Sequence, residues 1–96
     1  MTKIALTATL SIRPDQLDAF LAELRDHAAK TLAGEEGSIL FEAHASVDDP
    51  NCIMLYEVYA DADALVAHRE NPQLAKFRAA TADMVIERAV KDWAVM

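Results

Sequence analysis

Hydrophobic and polar residues alternate along two stretches of the chain, which is the pattern of β-strands with one buried face. In residues 3–12 the apolar face consists of alternate positions: Ile4, Leu6, Ala8, Leu10 and Ile12. In residues 38–47 it consists of Ile39, Phe41, Ala43, Ala45 and Val47. Residues 52–60 are apolar or aromatic except for Glu57, which is typical of a strand covered on both faces. Residues 84–95 are predicted to form the last strand, with Trp93 near its end.

Apolar residues follow a helical period between the first two strands. They recur with spacings of three and four: Leu17, Phe20, Leu21, Leu24, Ala28 and Leu32. Pro14 suits the first turn of this helix, and Gly34 and Gly37 can end it. His27 is expected on its exposed flank. A second helix is predicted from Asp61, a suitable N-cap, to Glu70.

The second helical segment is interrupted at Asn71-Pro72, because proline disfavours helical geometry in the residue before it. Helix is predicted to resume over residues 73–82. Residues 48–51, Asp-Asp-Pro-Asn, are turn residues, so the second and third strands should form a hairpin.

The order strand, helix, strand, strand, helix, strand predicts a ferredoxin-like βαββαβ fold of the α+β class with an antiparallel sheet, as one domain over residues 1–96. Right-handed crossovers place strands one and three at the centre. The helices should cover one sheet face. The other face would carry either Ile53, Leu55 and Tyr59 or Met54, Tyr56 and Val58. An exposed apolar patch of this kind indicates an interface, so we expect a homodimer with the two sheets face to face.

Composition and charge narrow the possible partners. The 96 residues carry a net charge of −7, which argues against binding nucleic acid or anionic membranes. The single cysteine, Cys52, rules out an internal disulfide and argues against a structural zinc site. No signal peptide is recognisable and no apolar run is long enough to span a bilayer, so we expect a cytoplasmic protein.

A series of residues in the central part of the chain resembles the antibiotic biosynthesis monooxygenase family. It runs Gly37-Ser-Ile-Leu-Phe41, Pro50, Tyr56-Glu57-Val58-Tyr59, Asp61, Ala64, His68, Pro72 and Phe77. Relatives in that family include quinol monooxygenases and the autoinducer-2 phosphate isomerase. The resemblance implies a dimeric α+β barrel with a small pocket between sheet and helices in each protomer. It also implies either cofactor-free oxygenation of an electron-rich aromatic or isomerisation of a small carbonyl compound.

The chain departs from that family pattern at two places. Many members carry a second histidine after the helix-breaking proline, where this chain has Gln73. Haem-degrading relatives hold haem with an asparagine on the first strand and a histidine on the second helix. Here the first strand has no asparagine, and the helical segment from Gln73 has no histidine. We therefore expect no haem, and no other cofactor or metal.

His68 and Glu57 are the candidate catalytic residues. An imidazole titrates near neutral pH and can transfer protons, although His68 could instead be a structural histidine bonded to a backbone carbonyl. A carboxylate in an apolar strand needs a partner or a raised pKa. Glu57 could therefore orient His68 or form a structural bond across the dimer, and strand parity does not determine which face it occupies.

Aromatic residues and a second histidine are the candidates for substrate binding: Phe41, His44, Tyr56, Phe77 and Trp93. Tyr56 and Tyr59 should point to opposite faces, so only one of them can line the pocket. His44, beside Glu42, could equally be a solvated edge residue, and the aromatic rings could be core packing. Arg78 or Arg88 could contact an anionic substrate, but no spacing favours either.

Three functions remain open at this stage. The first is a cofactor-independent monooxygenase acting on a small hydroquinone-like or polyphenolic aromatic, with His68 as the base. The second is an isomerase of a small sugar-like or phosphosugar-like carbonyl compound, with His68 and Glu57 as an acid–base pair. The third is a non-catalytic dimer that binds a small molecule.

Overall fold

Four strands and three α-helices are present in the computed structural model, which describes residues 2–96. In chain order they are β1 (Ile4–Ile12), α1 (Leu17–Gly34), β2 (Ser38–Ala45), β3 (Cys52–Tyr59), α2 (Ala62–Glu70), α3 (Pro72–Thr81) and β4 (Val85–Ala94). A short 3-10 turn at Pro14–Gln16 precedes α1. None of the helices in this part of the chain combines the length and apolar composition that a membrane-spanning helix requires.

The sheet confirms the predicted ferredoxin-like arrangement. Its strand order is β2-β3-β1-β4, and every neighbouring pair is antiparallel. The two central strands are therefore β1 and β3, as the right-handed crossover rule predicts. Strand β4 lies at an edge and is largely exposed along its length.

The pairing of β1 with β3 determines which side chains meet the helices. Leu6 lies opposite Glu57, and both are buried. Because side chains alternate between faces along a strand, Tyr59 shares this face while Tyr56 points to the other. The core between sheet and helices is formed mainly by Leu6, Ala8, Leu10, Ile53, Leu55, Tyr59, Phe20, Leu24, Leu65, Leu74 and Phe77. The uncovered face of β3 thus carries Met54, Tyr56 and Val58, the second of the two predicted alternatives.

Strand β2 departs from its predicted alternation at both ends. The pairing with β3 shifts between Ser38 and Leu40, so that Ile39 is an extra residue and is 48% exposed. A bulge of this kind reverses the order of faces on either side of it. The strand ends at Ala45, and Val47, predicted on the apolar face, lies in the following turn and is 99% exposed.

Two side chains cap the C-terminal helical segments. The Asp61 side chain accepts a 2.8 Å hydrogen bond from the backbone N–H of Ala64, which confirms it as the N-cap of α2. Asn71 ends α2 and caps α3 through a 2.9 Å bond from the N–H of Gln73. Pro72 occupies the first position of α3, where its missing N–H removes no helical bond. These caps fix where α2 and α3 meet.

Candidate functional site

A cavity of about 60 Å³ lies between the helices and the covered sheet face. Apolar side chains form most of its wall, with Leu6, Leu55 and Phe77 among them. Glu57 from β3 and His68 from α2 also line it. The structure therefore brings the two predicted catalytic residues together at one hollow site.

His68 is held by a carboxylate from another part of the chain. Its side chain is 4% exposed, and Nδ1 lies 2.8 Å from Glu35 Oε1. Because a carboxylate only accepts hydrogen bonds, this contact places the proton on Nδ1. Glu35 Oε2 also accepts a 3.2 Å bond from Asn71 Nδ2. In the neutral form of the ring the second nitrogen, Nε2, then carries the lone pair, and no residue in the 2–96 range hydrogen-bonds to it.

The local sequence explains how these groups meet. Glu35 directly follows α1, where the backbone becomes extended and its side chain turns toward α2. Ala64, Leu65 and His68 lie on one face of α2 because residues three and four apart are neighbours on a helix. Asn71 is held by its capping role at the start of α3. The end of one helix, the face of the second and the cap of the third thus converge on the imidazole.

A second buried hydrogen bond, between Glu57 and Tyr59, lies near Nε2 of His68. The hydroxyl of Tyr59 donates to Glu57 Oε1 at 2.5 Å, and the same oxygen is 3.7 Å from His68 Nε2. The latter distance is too long for a hydrogen bond. Burial raises the pKa of Glu57, and the Tyr59 bond and the His68 charge only partly oppose this. Burial and the nearby Glu57 carboxyl raise the pKa of Tyr59. Glu57 can therefore hold a proton above the pH at which an exposed carboxyl loses it.

His27 belongs to the wall of the cavity, and its predicted surface position is wrong. It is 2% exposed, and its ring stacks on Phe77 with 4.3 Å between centroids and 11° between planes. Burial first, and then the charge of His68, lower its pKa to about 4, so the ring is neutral at physiological pH. The buried residues of α1 are Phe20, Leu24, His27 and Thr31. Their spacing of three and four places His27 on the buried helical face, which is the sequence pattern that could have predicted its burial.

Of the five predicted substrate-binding residues, two line the cavity and three lie on the uncovered face of the sheet. Phe41 and Phe77 line the cavity with His68. His44, Tyr56 and Trp93 lie on the uncovered face, because their register positions have the opposite parity to Phe41 and Glu57. None of these three residues lines the cavity that contains His68.

Each of these three residues has surroundings of its own. His44 is exposed, with Nε2 3.1 Å from Glu42 Oε1. Trp93 donates from Nε1 to Thr7 Oγ1 at 2.9 Å, and Tyr56 lies opposite Thr7 in the register. Tyr56 and Trp93 thus belong to one patch on the uncovered face.

Two kinds of residue around His68 and its cavity could not be recognised from the sequence. Glu35 sits in a polar turn between two glycines, and nothing in the local pattern marks it as a partner of His68. Three arginines line the cavity: Arg69, Arg78 and Arg88. Nothing in the sequence singles out Arg69, and only the assembled cavity distinguishes the other two from surface charges. Within the described range, no group of three or more His, Cys, Asp or Glu side chains is arranged to hold a metal ion.

An antiparallel ferredoxin-like sheet, with a buried histidine flanked by two carboxyls beneath its helices, defines an α+β protein of the ferredoxin-like class. The chain belongs to the antibiotic biosynthesis monooxygenase family, whose sequence pattern matches residues 3–80. This confirms the resemblance seen in the residue series. Membership supports a monooxygenase-like function in general terms. A comparison with curated proteins finds no match.

Several solved structures that carry the same family name share this fold. The one from Caulobacter crescentus CB15 superposes with a TM-score of 0.95 at 24% identity, covering 99% of this chain and 91% of that one. The one from Nitrosomonas europaea gives 0.92 at 25% identity, with coverages of 98% and 90%. The one from Bacteroides thetaiotaomicron VPI-5482 gives 0.90 at 26% identity, also with 98% and 90%. The fold thus extends over nearly the whole of each chain.

Proposed function

We propose that this protein is a cofactor-independent monooxygenase that oxidises a small hydroquinone-like phenol, with His68 as the general base. The observation that carries the proposal is the orientation of one imidazole. Glu35 holds Nδ1 at 2.8 Å, and His68 lines a cavity with a largely apolar wall. A base must have a free lone pair within reach of the proton it removes, and this arrangement supplies one.

The proposed reaction begins with proton transfer. His68 Nε2 removes the phenolic proton, and the phenolate passes one electron to dioxygen, which gives a phenoxyl radical and superoxide. Their combination forms a C–O bond at a ring carbon that carries hydrogen, and protonated His68 gives its proton to the resulting peroxide anion, producing a hydroperoxide. His68 then takes the ring C–H proton as the O–O bond breaks and a carbonyl forms, and it passes this proton to the departing hydroxide. One hydroquinone and one dioxygen thus give one hydroxyquinone and one water, with no external reductant.

The surroundings of His68 favour such a reaction. Phe77, Leu55 and the neutral ring of His27 exclude water, and an anion without its hydration shell is a stronger electron donor. Burial raises the pKa of Glu57, which disfavours a second negative charge beside the phenolate. The volume of about 60 Å³ is below the roughly 300–1,000 Å³ of ordinary ligand pockets. A phenol must therefore displace side chains at the open side, where exposed arginines contribute to the lining.

Oxygen consumption by the purified, chelator-treated protein tests the proposal. A panel of hydroquinones should give uptake of one dioxygen per substrate. With ¹⁸O₂, one labelled atom should appear in the quinone and the other in water. His68→Ala should reduce the rate by about 10²–10⁴-fold, the usual contribution of a general base. His44→Ala, which removes an exposed histidine from the other sheet face, serves as the matched control.

The outcome that contradicts the proposal is equally specific. Uptake no greater than hydroquinone autoxidation without protein, or uptake unchanged in His68→Ala, would exclude His68-dependent oxygenation. Catalase and superoxide dismutase are included so that autoxidation products are not counted as turnover.

The second candidate function is isomerisation of a small carbonyl compound. One observation favours it, because Glu57, whose pKa burial raises, lies 3.7 Å from His68 Nε2 in the same cavity. Such an acid–base pair can move a proton next to a carbonyl. Incorporation of solvent deuterium into product without oxygen consumption would identify this reaction instead.

A homodimer is part of the same proposal. Met54 and Tyr56 are partly exposed on the uncovered face of the central strand, and Trp93 adds an exposed ring beside them. A second copy packed on this face would remove that apolar area from water. The site itself lies on the other face, so each protomer would hold its own cavity.

A further inference from the structure

The cavity concentrates positive charge in an acidic protein. Three of the chain's five arginines line it, although the net charge is −7. They come from three separate elements, with Arg69 at the end of α2, Arg78 on α3 and Arg88 on β4. The one carboxyl in the lining, Glu57, is buried and bonded to Tyr59. The positive charges are therefore not balanced within the wall of the cavity.

The three arginines differ in their partners. Arg69 forms an ion pair with Asp92, with 2.7 Å between Nη2 and Oδ1. For Arg78 and Arg88, no side-chain hydrogen bond or salt bridge is present among residues 2–96. An arginine that lines a cavity without a carboxylate keeps all five of its N–H donors available to a ligand.

Arg78 and Arg88 are also close enough to influence each other. Partial burial, and then the charge of Arg78, lower the pKa of Arg88. Arg78 contributes to the lowered pKa of His27 as well, which places its charge near the aromatic wall. Two like charges held together without a counter-ion repel each other, and an anion between them would reverse the sign of that interaction.

We propose that Arg78 and Arg88 form a carboxylate-binding subsite, so that the substrate is a phenol bearing a carboxylate group. This rests on the proposed oxygenation of a phenol. The anion would bind at the side of the cavity formed by β4, and the ring would extend toward Phe77 and His68. The guanidinium fork matches a carboxylate with two parallel hydrogen bonds. A planar carboxylate conjugated to the ring also demands less room than a tetrahedral phosphate, which suits a small cavity.

Binding of non-oxidisable probes tests the subsite independently of turnover. Benzoate, benzyl alcohol and phenyl phosphate are titrated into the full chain by isothermal calorimetry. Benzoate should bind roughly tenfold or more tightly than benzyl alcohol at low ionic strength, because hydrogen bonds to charged groups are the stronger ones. Raising the salt concentration should weaken benzoate binding and leave benzyl alcohol unchanged.

Single substitutions assign the effect to the two residues. Arg78→Gln and Arg88→Gln should each weaken benzoate binding by about five- to tenfold while leaving benzyl alcohol unaffected. Arg25→Gln makes the same charge change at an exposed position of α1 outside this cavity and is the matched control. The wild-type salt titration gives a result that depends on no variant folding correctly.

Several outcomes would overturn the subsite. They are no benzoate binding at millimolar concentrations, equal affinity for benzoate and benzyl alcohol, or an equal loss in Arg25→Gln. Tighter binding of phenyl phosphate than of benzoate would overturn the carboxylate assignment. If oxygen uptake fails with every hydroquinone while benzoate binds in the expected way, only the proposed reaction is wrong. If 2,5-dihydroxybenzoate is oxidised no better than hydroquinone and benzoate does not bind, only the subsite is wrong.

Discussion

Glu35 Oε1 lies 2.8 Å from Nδ1 of His68, although the two residues are 33 positions apart in the chain. The contact joins the end of α1 to the buried face of α2, and it determines which nitrogen of the imidazole is free. A carboxylate in this position holds the ring in one tautomer and stabilises its protonated form during proton transfer. Glu35 is therefore a positioning residue for the proposed base.

Replacement of Glu35 should affect both stability and activity. Glu35→Ala leaves a buried Nδ1–H without its acceptor and should lower the free energy of unfolding by about 1–3 kcal/mol. Activity on a hydroquinone should fall by roughly a hundredfold, with a changed pH profile, because the tautomer is no longer fixed. Glu36→Gln, at the exposed neighbouring position, should change neither quantity. Denaturant unfolding and oxygen uptake provide the measurements, and an unchanged pH profile in Glu35→Ala would contradict the positioning role.

His27 should make the fold sensitive to acid. Its pKa is about 4 in the folded protein and 6.5 when unperturbed, so the unfolded chain binds the proton more readily. The stability from this residue is therefore complete above pH 6.5 and decreases as the pH falls toward 4, by about 2–3 kcal/mol. His27→Phe keeps an aromatic ring against Phe77 and should remove this loss, whereas His44→Gln should not. Unfolding curves at pH 4–7 measure the difference; equal acid sensitivity of wild type and His27→Phe would show that another group is responsible.

Gly37 should not tolerate a side chain. A Cβ at this position would lie 2.4 Å from Cβ of Ala64, one turn before His68 on α2. Gly37→Ala should therefore shift α2 and destabilise the protein by about 1–3 kcal/mol, the usual effect of overpacking. It should also reduce activity by moving His68.

Gly34 provides the matched control for Gly37. Nothing lies within 4 Å of a Cβ built there, at the end of α1. Gly34→Ala should be neutral or stabilise by about 0.4–1 kcal/mol, because it reduces the conformational entropy of the unfolded chain. Thermal unfolding of the pair measures the contrast, and similar melting temperatures would refute the close packing of Gly37 against α2.

The proposed dimer predicts an effect of charge on the uncovered sheet face. Tyr56→Glu puts a carboxylate within the apolar patch and should convert a dimer to monomers, because burial of an unpaired charge is costly. Val66→Glu, at a 51% exposed position of α2, should leave the assembly unchanged. Sedimentation velocity across a concentration series distinguishes the two. A monomeric wild type at high micromolar concentration would remove the basis of the dimer proposal.

Much of the fold was determined by periodicity and local chemistry. The alternation in β1, the helical spacing in α1 and the capping residues Asp61 and Asn71 depend on interactions within a few residues of the chain. The order of the elements, together with the handedness of crossovers, then limits the topology to the observed sheet. The alternation in β2 wrongly placed Ile39 on the buried face, because an extra residue there forms a bulge. A bulge depends on the pairing with β3 and is not visible in the local sequence.

The candidate site was determined only in part by the sequence. His68 and Glu57 could be proposed because an imidazole and a carboxyl are unusual in apolar surroundings, which is a local property. The sequence did not decide that Glu57, rather than Tyr56, faces the helices, because strand alternation is identical for both choices of face. Tertiary structure decided this through the strand register. It also brought Glu35 into contact with His68. His27, Arg78 and Arg88 came together in the wall of the cavity, because these contacts join residues far apart in the chain.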